Sequence, residues 1–519
     1  MKLRLVLPAL LAALVALFAA GCGGGSEDGG TGTDPASVAP ARVPVFIDFT
    51  VRPDEETKKN IDGLAKEIAG IDNLGDLIVT ELENSASDDG EELDFDKEIE
   101  PWLGDQGGLF LQEYGDSDFE GYGAAVQTSD EGAAREFVDE QVENGDEEAT
   151  DGSYEGVDFK VQEDETTIGV FDGLVVFAED EAIFESMVDA SGGGGLGGEE
   201  AYTDAVAGVP DQSAANVYAD IGALIEESGG EIDSETELFL DTLGIEPEEA
   251  TAVASLVPGS GQVEIDLSTN LSGDDPPSGD ASELLGSLPA SSVGAFASAE
   301  FGKRFDEGID QIDEQGIPSE GVPPNKLKKS LKEAGIDLDA IASSVGDAGG
   351  YVTGNSESTL GGAMVLETDD ADQAKTTVSN IGLFLRSAGA PGITKITEGA
   401  SGFSIRSPEL GRQPVVVAAK GSRIAIGYGL APTLESFQEA NETLADSDAY
   451  NEALDALGDT PIAMYVDGPS ALRLAKALVP PGEEGFEEAQ QYLGKIDYLA
   501  LGSEASGDLA TAKLIVGVK

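Results

Sequence analysis

The chain has 519 residues, 40% of them apolar, enough for two or more ordinary domains with real cores. Its 102 acidic and 28 basic residues leave a formal net charge of −74, which opposes binding to nucleic acid and to anionic surfaces. With no histidine and one cysteine, Cys22, it lacks Ser-His-Asp and Cys-His catalysis, His or Cys zinc sites and internal disulfides, leaving carboxylate, lysine, tyrosine or hard-metal chemistry.

Lys2 and Arg4 precede an apolar run, residues 5–20, broken only by Pro8. This run is shorter than the roughly 20 residues a membrane-spanning helix needs, and it ends in small residues, as a secretory signal does. The ending Ala19-Ala20-Gly21-Cys22 resembles the bacterial lipobox, departing from it at Ala19, where that motif prefers Leu. Ordinary cleavage near Gly21 and an uncleaved signal anchor are the competing readings. The expectation is a lipoprotein signal peptide over 1–21 and acylation, palmitate included, at Cys22. That anchor would hold the protein on the outer face of the cell membrane. Residues 22–43 then read as a flexible tether, because its opening is Gly, Ser, Asp and Thr with nothing apolar to bury.

Beyond the tether the two halves follow one script. A strand at 44–52 is matched at 292–302, and charged helical sequence follows at 54–84 and 304–343. Gly104-Asp105-Gln106-Gly107-Gly108 is matched by Gly346-Asp347-Ala348-Gly349-Gly350, each a turn feeding a strand. Alternating strands end at Thr128 and Thr368, and Asp130 and Asp370 are placed as N-caps of amphipathic helices. A three-stranded meander at 156–181 corresponds to 402–428. Tyr202 and Tyr450 then sit in matching helices, and strands carrying Tyr218 and Tyr465 run into a shared Asp, Asp220 or Asp467. A hairpin ends each half, at 252–270 and 498–518.

This order predicts an α+β protein of two tandem divergent repeats, each a mainly antiparallel sheet with packed helices. The boundaries expected are 44–270 for the first repeat, 271–289 for a Pro/Gly/Asp-rich linker and 290–519 for the second. Residues 44–289 hold 65 acidic and 7 basic residues, whereas 290–519 hold 34 and 18, so the halves differ in surface chemistry.

Asp34-Pro35-Ala36-Ser37, then Pro40-Ala41, the strand after Pro44 and Pro101-Trp102-Leu103-Gly104 carry a resemblance to a bacterial family. It is described only as domain of unknown function 3352 and is common in actinobacterial lipoproteins and membrane proteins. The resemblance implies no reaction, ligand or catalytic residue.

Candidate sites are few. Asp116, Asp118 and Glu120 followed by Gly121 have the opening spacing of an EF-hand loop. Gln127 stands where a bidentate Glu is required and the flanks are strands, so a polar turn is the plainer reading. The acids at 88–92 and Asp94, Asp96, Glu98 and Glu100 form clusters near Trp102 that can serve a hard cation or a carboxylate pair. Among 102 carboxylates, a solvated surface is the simpler account. Trp102, the sole tryptophan, reads as a core plug rather than a sugar platform, and Ser344 is its counterpart. Lys326, Lys328, Lys329 and Lys332 make the densest basic patch, on a short helix.

The function expected is that of a non-enzymatic, lipid-anchored envelope protein that binds or scaffolds. Its lipid-attachment residue is Cys22, with no catalytic, cofactor or metal residues and no cofactor. The membrane is reached through the N-terminal lipid, and nucleic acid is not a partner. An envelope protein, a glycan or a divalent cation remains open as ligand. The alternatives are a carboxylate-dependent wall-glycan hydrolase and an acidic cation-binding surface protein.

Overall fold

The structure, a computed structural model, describes residues 32–88, 93–114, 119–144, 149–227, 250–270, 279–315, 323–333, 336–397, 399–437, 443–480, 482–506 and 509–519. The chain divides into two compact units. The first is Met1–Pro276 with Ser506–Thr511 and Val518, and the second is Pro277–Ala505 with Ala512–Gly517 and Lys519. Both are α+β, and every strand pairing with a defined register is antiparallel.

The strands of the first unit are β1 (Val45–Thr50), β2 (Leu103–Tyr114), β3 (Phe119–Thr128), β4 (Thr150–Tyr154) and β5 (Val157–Val161). They continue with β6 (Thr167–Phe171), β7 (Leu174–Ala178), β8 (Ala215–Asp220), β9 (Thr251–Gly259) and β10 (Gln262–Asn270). Their spatial order is β10-β9-β8-β1-β2-β3-β7-β6-β5-β4. Both faces of this sheet are covered, which is why β7 reads as an unbroken apolar run, β6 as one apart from Thr167, and both are buried at every position. Phe49, Val126, Val175 and Phe177 point into one core with Trp102 and Phe137. Phe46, Leu174 and Val176, at the alternate positions, point into a second core with Phe184 and Met187.

The second unit contains β11 (Ser292–Ser298), β12 (Val345–Thr353), β13 (Gly361–Thr368), β14 (Ile393–Ile396) and β15 (Ser401–Ile405). Then come β16 (Val415–Lys420), β17 (Arg423–Tyr428), β18 (Ile462–Asp467) and most of β19 (Ile496–Ser506) and β20 (Leu509–Val518), whose Ser506, Leu509–Thr511 and Val518 count with the first unit. Their order is β20-β19-β18-β11-β12-β13-β17-β16-β15-β14, strand for strand the order of the first unit. Helix starts agree as well. Asp130 Oδ1 accepts from Gly132 and Ala133 N–H at 2.9 and 3.1 Å, and Asp370 Oδ1 from Asp372 and Gln373 at 2.7 and 2.9 Å. Asp220 and Asp467 each accept from the N–H three residues on, at 2.8 Å.

Two expectations need correction. The stretch 22–43 is not a tether throughout: up to 31 it lies outside the described residues, but from Asp34 it is packed. Pro35–Ser37 forms a 3-10 turn capped by Asp34, and Ala36, Val38, Ala39 and Val43 are buried against Phe46 and Leu174. Leu196 N–H donates to the Ala39 carbonyl at 2.8 Å, and Pro40 bridges to Gly195. A side chain at Gly195 would strike the Ser37 carbonyl, so the glycine-rich stretch there serves close approach. The stretch 271–289 is likewise not all linker. Its residues 271–278 lie outside the described set, whereas Ser282–Gly286 is a helix whose Leu284 and Leu285, with Leu288, are core. Leu444 N–H donates to the Leu288 carbonyl at 2.8 Å, and Pro289 bridges to Thr443, repeating the arrangement at Ala39 and Leu196. A few apolar residues outweigh the surrounding Gly, Pro and Asp, because each covers an otherwise open sheet face.

Candidate ligand cavity

In the second unit, the helix Ser282–Gly286, the β16–β17 turn and the helix Asp448–Leu457 border an open cavity of about 740 Å³. Its walls are mostly apolar, with Phe437, Ala445, Leu454 and the ring of Tyr450 among them. The Tyr450 hydroxyl is buried and has no hydrogen-bond partner among the described residues. Burial, reinforced by the nearby Asp280 carboxylate, pushes its phenol up to about 12.

One side of the cavity is cationic. Lys420 and Arg423 flank the two-residue turn Gly421–Ser422 as directly opposed partners, so both side chains leave the same face of the sheet. Arg423 is in turn opposite Glu367 on β13. Its Nε and Nη2 donate to Glu367 Oε1 at 3.1 and 2.8 Å, and Nη2 also donates to Ser287 Oγ at 3.0 Å. These bonds hold the guanidinium in place at the cavity wall. Lys420 Nζ donates to the Phe437 carbonyl at 2.9 Å. Glu283, exposed on its helix, also lines the cavity.

The same three positions in the first unit carry different chemistry. Gln127, Leu174 and Phe171 occupy the register places of Glu367, Arg423 and Lys420. Leu174 and Phe171 are buried in the core, and the turn between them, Asp172–Gly173, has positive φ at both residues. Where one unit is filled with hydrocarbon, the other has two cations beside a hollow. Sequence reading placed both hairpins but not the hollow. Its lining comes from segments more than 150 residues apart, such as Ser282 and Leu454.

The residues singled out from sequence do not gather there. Cys22, Asp116 and Asp118 lie outside the described residues, as do 89–92, and the side chains of Asp88 and Glu120 are not among those described. Gln127 is a buried structural amide donating to the Thr33 carbonyl at 3.0 Å. Asp94 pairs with Lys97, whose ammonium holds its carboxyl below the usual range, and Asp96 and Glu100 are exposed. Among the described residues no three Asp or Glu are placed to hold a metal ion. Trp102 is buried, donates Nε1–H to the Glu98 carbonyl at 2.6 Å and lies 5.3 Å from the Phe137 ring. Its carbonyl accepts from Ser129 N–H as that of Ser344 accepts from Asp369 N–H, the pairing expected of counterparts.

The basic helix is partly internal. Lys328 reaches Asp306 at 3.2 Å and Asp339 at 2.8 Å and also contacts Asp310. Burial works against its charge, but the three carboxylates prevail and raise its pKa. Lys332 pairs with Asp337 at 2.8 Å, which leaves Lys326 and Lys329 exposed.

Asp48, which the sequence pattern did not single out, is a largely buried carboxylate in the middle of β1. Desolvation, opposed by an Asn216 Nδ2–H donor at 2.8 Å and aided by Asp34, pushes its pKa up to about 6. The Asn216 Oδ1 is buried without a partner among the described residues. Asp48 lies in a strand flanked on both sides by β2 and β8, so it is a buried charge inside the scaffold.

Comparison with known proteins adds the following. A family model described as "Protein of unknown function (DUF3352)" matches residues 10–511. Crystal forms III and IV of TP0453 are similar at 11% identity with TM-scores of 0.25 and 0.26. They cover 47% and 46% of this chain and 82% and 80% of those chains. Likeness at that level carries no argument about fold or activity. No curated protein matches the chain.

Proposed function

The chain belongs to the family described as protein of unknown function (DUF3352), and on that premise we propose that it is a non-enzymatic, lipid-anchored envelope protein that binds a ligand in its second unit. In this reading 1–21 is removed, Cys22 is acylated, and the residues up to about 33 link the anchor to the packed body. The body is a tandem duplication, a view supported by the common strand order and by the matched caps at Asp130 and Asp370. Among the described residues no helix is long and apolar enough to cross a membrane, which is compatible with attachment through lipid.

The observation that carries the binding role is the contrast at one hairpin. Phe171 and Leu174 pack solid in the first unit, whereas Lys420 and Arg423 border a cavity of about 740 Å³ in the second. A volume of that size lies in the range of small-molecule sites. After a duplication, one copy can keep the packed corner while the other becomes a site.

Two measurements test the proposal. Mass spectrometry of the mature N-terminus should find a diacylglyceryl Cys22, and an unmodified N-terminus refutes the anchor. For binding, the protein is purified from its own envelope and extracted with organic solvent. A stoichiometric small molecule is expected, and its loss on narrowing the cavity with Ala445→Trp places it there. No co-purifying molecule, together with no melting shift on adding envelope extract, ends the binding proposal. Robust turnover of wall glycan or ester substrates by the purified protein would overturn the non-enzymatic part.

A further inference from the structure

We infer that the second-unit cavity takes an anionic amphiphile: a carboxylate or phosphate head at Lys420 and Arg423, with its hydrocarbon chain against Phe437, Leu454 and Ala445. This inference rests on the binding role proposed above and adds the chemical class of the ligand.

Three features carry it. The first is the placement of charge. Like charges directly opposite on neighbouring strands repel, and a hairpin without a use for them has no reason to hold Lys420 across from Arg423. Glu367 offsets one of the two, leaving Lys420 with a carbonyl, that of Phe437, as its named acceptor. The rarity of cations sharpens the point, since the chain has 28 against 102 acids.

The second feature is donor chemistry. Arg423 is oriented by Glu367 and Ser287 through Nε and Nη2, which leaves the Nη1 edge to face a ligand, and Lys420 adds a mobile ammonium. Ser287 Oγ–H is already given to the Leu284 carbonyl at 2.7 Å, and the Tyr450 hydroxyl, without a partner among the described residues, is buried. A head made only of acceptors suits this set. Glu283, exposed as Lys420 is, also lines the cavity, and its carboxylate is the group on that lining that opposes an anionic head.

The third is the remainder of the wall. Beyond the cations it is mostly apolar, so a bare inorganic anion would leave that surface wet, while an alkyl chain would cover it. Head and tail together account for both halves of the lining.

The test uses the full chain in nanodiscs of zwitterionic lipid, titrated calorimetrically with octyl phosphate, octanoate, octanol and inorganic phosphate against chain-free nanodiscs. Octyl phosphate and octanoate are expected to bind at least tenfold tighter than octanol, and inorganic phosphate not measurably. Whichever of the two anions binds tighter tells a phospholipid-type head from a fatty carboxylate. Lys420→Met should erase most of the tenfold preference, while Lys326→Met, the same charge change at an exposed residue just ahead of a helix, should leave it intact. Ala445→Trp, at an exposed position on the lining, should abolish binding of all the octyl probes. Equal affinity for octanol and octyl phosphate would overturn the anionic head yet leave the cavity a binding site. Inorganic phosphate binding as well as octyl phosphate would overturn the amphiphile. Silence from every probe overturns the inference, and the envelope extraction above then decides the broader proposal separately.

Discussion

Tyr450 and Tyr465 meet edge to face, their ring centroids 5.2 Å apart and their planes at 78°. Tyr202 and Tyr218 do the same in the first unit, at 5.1 Å and 79°. Each pair joins the helix before a strand to the strand itself, β8 or β18. Edge-to-face packing of this kind favours the ring quadrupoles and locks the helix over the sheet. The same joint thus recurs on two sequences that share few residues.

The hydroxyl of Tyr450 contributes nothing to that joint. Tyr450→Phe removes a buried oxygen that has no partner among the described residues, so it should be neutral or stabilise by up to about 1 kcal/mol. Tyr450→Ala, which empties the ring volume, should cost about 3–5 kcal/mol. Urea denaturation followed by far-ultraviolet circular dichroism compares the two. A loss above 1 kcal/mol for the Phe variant would mean that the hydroxyl has a strong partner.

Asp48 makes stability depend on pH. Its folded value, about 6, exceeds the ordinary 3.8, so the folded protein holds the proton more tightly than the unfolded chain does. Its contribution is therefore fullest below pH 4 and is lost as pH rises through about 6. The whole effect is at most about 3 kcal/mol. Asp48→Asn keeps the shape without the charge, so it should flatten the slope between pH 4 and 6.5 and stabilise the protein at pH 7.5. Parallel slopes for variant and wild type would contradict this account.

Lys328 is the hub of three aspartates. Lys328→Met leaves Asp306, Asp310 and Asp339 facing one another without a counter-ion. All three keep solvent access, so the expected loss is modest, about 1 kcal/mol. Because the repulsion is screened, the deficit should shrink in 1 M NaCl. Thermal melts at low and high salt make the comparison. A salt-independent loss would assign the effect to packing of the lysine stem instead.

The segment after the glycine-rich stretch should behave as core. Val38→Asp places a charge among Ala36, Ala39 and Phe46 and should destabilise the protein by at least about 3 kcal/mol. A tether would tolerate this change, so chemical denaturation of the variant distinguishes the two accounts.

Much of this fold was legible because local signals carry it. Asp130 and Asp370 were readable as caps, since a carboxylate ahead of an apolar periodic run has one common use, whereas Asp220 and Asp467 were read only as an Asp shared between strand and helix. The strand sequence followed from alternation and from turns such as Asp172–Gly173. Composition misled at 34–43 and 281–289, where Val38, Ala39, Leu284 and Leu285 outweigh their polar neighbours. The shared Gly-Asp-x-Gly-Gly motif also misleads by one residue. Gly108 pairs with Ala125 and Gly349 with Val365, each three residues before the Thr that ends its strand. Gly108 therefore corresponds to Gly349 rather than Gly350, because irregular stretches of unequal length precede them, from Leu103 and from Val345. The cavity was illegible for a different reason. Lys420 and Arg423 look like ordinary strand ends until Ser287 and Tyr450 are brought beside them.

The position of β1 bears on how the protein withstands force. Any pull on the N-terminal end passes through Asp34–Val43 into β1, which lies between β2 and β8 with six and five paired residues. Drawing out a central strand along its own axis requires two ladders to fail together, in shear rather than bond by bond. The end that carries the proposed anchor therefore enters the first unit through a strand held by two ladders.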